Sequence, residues 1–359
     1  MALHVRGVVL PDDEVRDLWL VGDRVTFEPV GGAETISDGG WVLPGLVDAH
    51  CHPGIAPGAR PIESLDQARE LAATDRDAGV LAIRDAGSPY PYPELDDEPE
   101  MPRLARAGRH VAAPRRYLRD IGMEVDGAAE VAAAVTAQAK AGNGWVKLVG
   151  DWLDRSVGDL APSWDPVTMA AAVEAAHAAG ARAAVHTFSE EGVAQMVRAG
   201  VDSVEHGTGI SLELIDEMAR RGTALVPTMI NIETFGGIAE QARAKFAGYA
   251  DHLIALRDGF PAVVAAAYEA GVPIYVGTDA GGGIRHGLAA EEMLLLQKAG
   301  LPATAILAAA SWRAREWLGF PGLVEGGLAD LVVYAEDPRR DLRVVRAPHR
   351  IVLRGRVIR

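Results

Sequence analysis

Two histidines one residue apart, His50 and His52, close the apolar run Gly45-Leu46-Val47-Asp48-Ala49-His50-Cys51-His52. If the run is a strand, alternation turns both rings to one side, as two ligands of a single metal ion require. Imidazole nitrogen suits zinc and its divalent neighbours. Alone, the pattern also arises by chance or as a surface pair, so its weight depends on partners elsewhere in the chain. Four such residues lie in or at the ends of other apolar runs: Lys147, His186, His206 and Asp279. Singly, His186 and His206 read more readily as satisfied core or loop histidines than as ligands, and Asp279 could be a helix N-cap. Lys147 has no comfortable bland reading, because a charged ammonium inside the run Trp145–Val149 is costly to bury without a partner. Lysine is otherwise rare here, appearing only at 140, 245 and 298.

The elements that would position these groups follow from the hydrophobic pattern. Strand-like runs fall at 43–52, 80–85, 110–113, 145–149, 183–187, 203–206, 224–229 and 274–279. Helical patterns fall at 128–141, 167–179, 191–199, 212–221 and 260–270. Eight apolar strands alternating with helices predict an α/β fold, a (β/α)8 TIM barrel whose catalytic groups sit at the C-terminal strand ends. An open doubly wound sheet is the weaker alternative, since no Gly-x-Gly-x-x-Gly turn follows an early strand. Short strands with turn signals at both termini predict a small discontinuous β-sandwich domain, residues 1–43 with 321–359, around a barrel spanning 44–320. Long connections at 87–102, 150–166 and 230–253 are candidate lids.

Composition narrows the partners. A net charge of −15 over 359 residues disfavours nucleic acid and anionic membrane surfaces. No apolar run is long enough to span a membrane, and the start lacks the pattern of a signal peptide, so a cytoplasmic location is the expectation. The single cysteine, Cys51, excludes an intrachain disulfide and a zinc finger. A homo-oligomer, most often a dimer, is the base rate for assembly, and nothing in the spacing fixes it.

Together these motifs resemble the amidohydrolase superfamily of metal-dependent hydrolases, in particular its imidazolonepropionase-like and Xaa-Pro dipeptidase-like branch. The resemblance covers nearly the whole chain. It runs from Pro44-Gly45-Leu46-Val47-Asp48-Ala49-His50-Cys51-His52 through Lys147, Val185-His186-Thr187, Val204-Glu205-His206-Gly207 and Gly277-Thr278-Asp279. It ends at Glu325-Gly326-Gly327-Leu328-Ala329-Asp330-Leu331-Val332-Val333. The resemblance implies two divalent metal ions: His50, His52 and Asp279 on one, His186 and His206 on the other. Lys147, carboxylated by CO2 to a carbamate, would bridge them. Zinc is the expected metal from the nitrogen-rich ligand set, with manganese, iron or cobalt fitting the same geometry. A bridging hydroxide would attack the amide carbonyl, and Asp279 would act as general base and then acid.

Other residues carry less. Alternation turns Cys51 away from the metals as a small buried filler. His177 is expected at the surface, and His110 at the end of its strand remote from chemistry, as a structural residue. His286, in the loop after the last strand, is a candidate catalytic or substrate-contacting residue. The segment Arg115-Arg116-Tyr117-Leu118-Arg119 departs from the glycine- and histidine-containing segment of the related dipeptidases, which weakens that assignment. An arginine there could grip a substrate carboxylate, although an acid-paired surface cluster is the plainer reading. The function expected is hydrolysis of a C–N bond in a small molecule: a dipeptide, an N-acyl amino acid or a related amide. Alternatives are a mononuclear deaminase or imidazolonepropionase-type cyclic amide hydrolase, a lactonase or phosphotriesterase, and a non-catalytic scaffold.

Overall fold

The computed structural model describes residues 2–90 and 92–359; Met1 and Pro91, the latter inside the first candidate lid, lie outside the described residues. The fold is α/β. Strands Leu46–Cys51, Val80–Asp85 and Arg103–Arg106 form one parallel sheet. Met123–Glu124, Val111–Ala112, Trp145–Val149, Arg182–Thr187, Ser203–His206 and Ala224–Val226 form a second, also parallel. A bridge from Ala107 to Trp145 joins the two. The segment expected as the eighth strand, 274–279, is not a regular strand, yet it is hydrogen-bonded on both sides. Tyr275 N donates to Leu225 O at 3.0 Å, and Ala49 N donates to Val276 O at 2.7 Å.

Five of the expected strands stand within a few residues of their predicted limits; the third does not. Its place beside Val80–Asp85 is taken by Arg103–Arg106, and only Val111–Ala112 of 110–113 is strand. Flanking arginines conceal this strand in the sequence, and the fold neutralises both: Arg103 pairs with Asp330 at 2.5 Å and Arg106 with Asp96 at 2.6 Å. The seventh strand stops at Val226, because Thr228 turns left-handed and Met229 begins a helix.

Helix ends are written locally. Ser64, Asp165, Ser189 and Ser211 each accept a backbone N–H in the first turn of their helices. Gly200 and Gly222 close two of them in the left-handed conformation. The expected helix at 260–270 is the second half of a longer one, Ala247–Glu269. The candidate lid at 230–253 is therefore helical, with Met229–Glu233 and Phe235–Ala242 preceding that long helix. The lid at 150–166 is a hairpin, Asp151–Asp154 with Asp159–Pro162.

Strands from both termini share one seven-stranded sheet in the order Arg356–Val357, Arg350–Leu353, Leu331–Tyr334, Glu34–Pro44, Ala2–Val9, Glu14–Val21, Arg24–Thr26. The far strand returns toward the chain just before Leu331: Val25 N donates to Gly327 O, and Gly326 N donates to Val25 O. Val5, Leu18, Leu20, Val42, Leu331 and Val352 form the apolar core of this sheet. Beneath the histidines, small residues line the inside of the parallel strands: Val47, Ala49, Ala82, Ala105, Ala184 and Val226. No described helix is long and apolar enough to cross a membrane.

Candidate functional site

The polar strand ends meet. Asp279 Oδ1 lies 3.2 Å from His50 Nε2 and 3.1 Å from His52 Nε2. Lys147 Nζ lies 3.4 Å from His50 Nε2. His186 Nδ1 faces His206 Nε2 at 2.8 Å, and the His50 and His206 rings are 5.1 Å apart. Six of the seven residues singled out from the sequence thus occupy one cluster.

The backbone is bent to achieve this. His206 (φ 68°), Thr228 (φ 47°) and Asp279 (φ 59°) are left-handed without being glycine, a conformation that costs about 1–3 kcal/mol per residue. Gly277 packs against strand Leu46–Cys51 so closely that a Cβ would come within 2.8 Å of the His50 backbone nitrogen.

Each ring is oriented from outside the cluster. His52 Nδ1 donates to Gly87 O at 2.7 Å, which fixes the ring with Nε2 directed at Asp279. Thr228 Oγ1 lies 2.7 Å from His206 Nδ1. Glu205 Oε2 lies 2.7 Å from His50 Nδ1, although off the line of a regular hydrogen bond. Glu205 also accepts from Arg84 at 2.6 Å and from Ser203 Oγ at 2.6 Å. Asp48 accepts from the His50 and Thr278 backbone N–H groups and from the Thr278 hydroxyl, tying the first strand to the last. Asp151 accepts from Thr187 Oγ1 and from the Ser189 N–H and hydroxyl, which fixes the turn just after His186.

The electrostatics favour ligand forms. Burial, followed by the charge of Lys147, holds the His50 and His186 rings below the usual histidine range; burial and His186 do the same to His206. The shift favours the neutral imidazole, the form a metal ligand takes. Burial acts to raise Asp279, but its histidine neighbours hold the carboxyl well below the ordinary range. Burial lowers Lys147 from 10.5 to about 8, against the opposing pull of Glu205. His186 Nε2 is buried without a hydrogen-bond partner among the described residues.

Two sequence expectations are corrected. His286 does not join the cluster: Asp75 accepts from its Nδ1 at 2.7 Å and from Gly287 N at 2.7 Å, with Cys51 beside them on the opposite side of the first strand. Strand alternation, which turns Cys51 away from His50, takes His286 with it. Conversely, His110 is not remote. Its fully buried ring lies 5.3 Å from that of His52 and 5.0 Å from that of Tyr117, and neither nitrogen has a partner among the described residues. The pairing of Val111 with Leu148 makes His110 level with Lys147 on the neighbouring strand. His177 is indeed half exposed, 2.8 Å from Asp202. Arg116 is acid-paired, holding Asp154 at 2.6 Å and the hairpin carbonyl of Ala161 at 2.7 Å.

Sequence reading assigned no role to Glu205, Arg84 or Thr228. Glu205 and Arg84 carried the same signal as Lys147, a charge inside an apolar strand. Above the cluster opens a cavity of about 660 Å³, reached by His52, His186 and Asp279 and walled by both candidate lids at 150–166 and 230–253.

Comparison with known proteins accords with this geometry. Residues 41–358 match the amidohydrolase family. An uncharacterized protein of Mycobacterium tuberculosis is 50% identical over 354 residues, covering 99% of this chain and 95% of that one. Ochratoxinase of Aspergillus niger is 26% identical over 235 residues, 62% of this chain and 47% of the enzyme. The crystal structure of a Xaa-Pro dipeptidase with methionine bound in its active site shares the fold, with a TM-score of 0.82 at 24% identity and 99% of each chain covered. The chain belongs to the amidohydrolase family and is a hydrolase acting on carbon–nitrogen bonds.

Proposed function

We propose that this protein hydrolyses the amide bond of a small substrate at a binuclear metal centre. The observation that carries the reading is the convergence of His50 Nε2 and His52 Nε2 on one oxygen of Asp279, with Lys147 beside His50. The donor set fits divalent ions: four imidazoles, one carboxylate held ionised, and among them the buried unpartnered nitrogen of His186. His50, His52 and Asp279 would hold one ion, His186 and His206 the other, and Lys147 as a carbamate would join them. Such a carbamate also explains a lysine that is 1% exposed with no acid in contact among the described residues. Zinc remains the first choice.

When bound, the ions supply Lewis-acid activation of water and of the substrate carbonyl. The chain supplies the rest. Asp279, about one-fifth exposed at the cavity floor, accepts the proton of the attacking water and returns it to the leaving amine, so that one C–O bond forms and one C–N bond breaks. Glu205 and Arg84 hold His50 from below, and Gly87 O orients His52. We also read the eight strand positions as a closed (β/α)8 barrel over 44–320, with the terminal sheet of 1–43 and 321–359 curled into a separate sandwich. A small molecule is the proposed partner.

Metal content per chain, measured by plasma mass spectrometry after reconstitution with zinc and bicarbonate, tests the centre. About two equivalents are expected; one would point to a mononuclear hydrolase, and none would defeat the reading.

A further inference from the structure

We propose that the substrate is a neutral aromatic amide without a free carboxylate, and that the enzyme discriminates against amino acid and dipeptide leaving groups. This rests on the amide-hydrolase reading above and narrows it. The cavity wall is apolar and aromatic, built from Tyr117, Trp152, Phe188, Phe235, Tyr249 and Leu253. Its remaining polar groups beyond the histidines and Asp279 are uncharged: the amides of Asn231 and Gln241, the Thr234 hydroxyl, and the aromatic N–H and O–H groups.

Among the described residues, no arginine or lysine lines this cavity. The arginine best placed by sequence to meet a carboxylate, Arg116, spends its guanidinium on Asp154 and on the hairpin carbonyls of Trp152 and Ala161. Arg115, Arg119 and Arg285 sit in adjoining loops, exposed and outside the lining. A substrate carboxylate entering here gives up water against aromatic walls, with no cationic side chain in the lining to pair it. The overall charge of −15 adds a repulsive field. A flat neutral arylamide instead stacks on the rings, and a cavity of about 660 Å³ holds two aromatic groups joined by an amide.

The test uses the metal-loaded enzyme and two isosteric amides, para-(phenylacetylamino)benzamide and para-(phenylacetylamino)benzoate, which differ in a neutral carboxamide against a carboxylate. Release of the aminoaryl product gives kcat/KM for each, and calorimetry gives Kd for each. The neutral amide is expected to be favoured by about 10- to 100-fold, the worth of one missing hydrogen-bonded ion pair. Equal or reversed preference overturns the proposal, as does failure of both to bind. Gln241→Arg, at the exposed edge of the cavity, places a cation in the wall and is expected to shrink or invert the preference; an unchanged ratio counts against it. Binding preference is read independently of turnover. Two metal equivalents without preference would therefore sink only the substrate assignment, whereas preference without metal or turnover would sink only the hydrolase reading.

Discussion

The Arg84 guanidinium donates to the Glu205 carboxylate at 2.6 Å, both side chains fully buried beneath the histidine cluster. Burial would raise the Glu205 carboxyl, but Arg84, His50 and Lys147 hold it well below its usual range. Arg84→Met strands a buried charge and is expected to destabilise the protein by about 3–5 kcal/mol. Glu205→Gln removes the anion facing His50 and is expected to weaken metal binding by about 10- to 100-fold. Denaturant titration and chelator competition measure the two effects. The double variant should be more stable than the single effects summed; simple additivity would refute the pairing.

Lys147→Ala is expected to abolish turnover and lower metal content. A variant that kept both would remove the lysine from the centre.

Asp279→Asn preserves size and one acceptor oxygen, so most metal should remain while kcat falls by orders of magnitude through lost proton transfer. Near-normal turnover in a metal-replete Asn variant would defeat the mechanism.

Glu292 provides a pH signature away from the histidines. Its carboxyl accepts from Met229 N and Ile230 N, and burial raises it from 4.5 to about 8. Between those values the folded protein keeps a proton that the unfolded chain has lost. The stability contribution is therefore complete below about pH 4.5 and declines as pH rises toward 8. Glu292→Gln keeps an acceptor and cannot ionise. Its denaturation free energy should fall less than that of the parent between pH 5 and 8, by on the order of a few kcal/mol. Parallel pH profiles would show that Glu292 does not titrate in this way.

His110 buries two ring nitrogens with no partner among the described residues, a burden of about 1–3 kcal/mol in a protein selected only for stability. His110→Phe is expected to raise the melting temperature of the metal-free protein and to reduce turnover by about tenfold or more. A variant with unchanged kinetics would return His110 to a packing role.

What the sequence disclosed followed from periodicity and chemical oddity. The runs around His50, Lys147, His186 and His206 are apolar strands ending in polar groups, although His206 reaches the cluster through a left-handed turn rather than by alternation. Arg103–Arg106 was hidden because its charges are neutralised by Asp330 and Asp96, distant in sequence. His286 was misplaced because sequence proximity to Asp279 does not say which side of a strand the returning loop will take. His110 was misjudged because its strand begins later than the one before it, so its first residue already stands level with Lys147. The cavity walls were legible only as lid segments, since which ring faces inward depends on helix packing.

Strand Glu34–Pro44, which leads through Gly45 into the strand bearing His50, lies between Ala2–Val9 and Leu331–Tyr334. During synthesis, His50 and His52 leave the ribosome early, while the second neighbour of the strand that delivers them is made some three hundred residues later. The histidines at 186 and 206, and then Asp279, arrive in between. On the binuclear reading proposed above, a growing chain would carry a succession of incomplete ligand sets. The strand that leads to His50 is held on both sides only once Leu331–Tyr334 has docked against Glu34–Pro44.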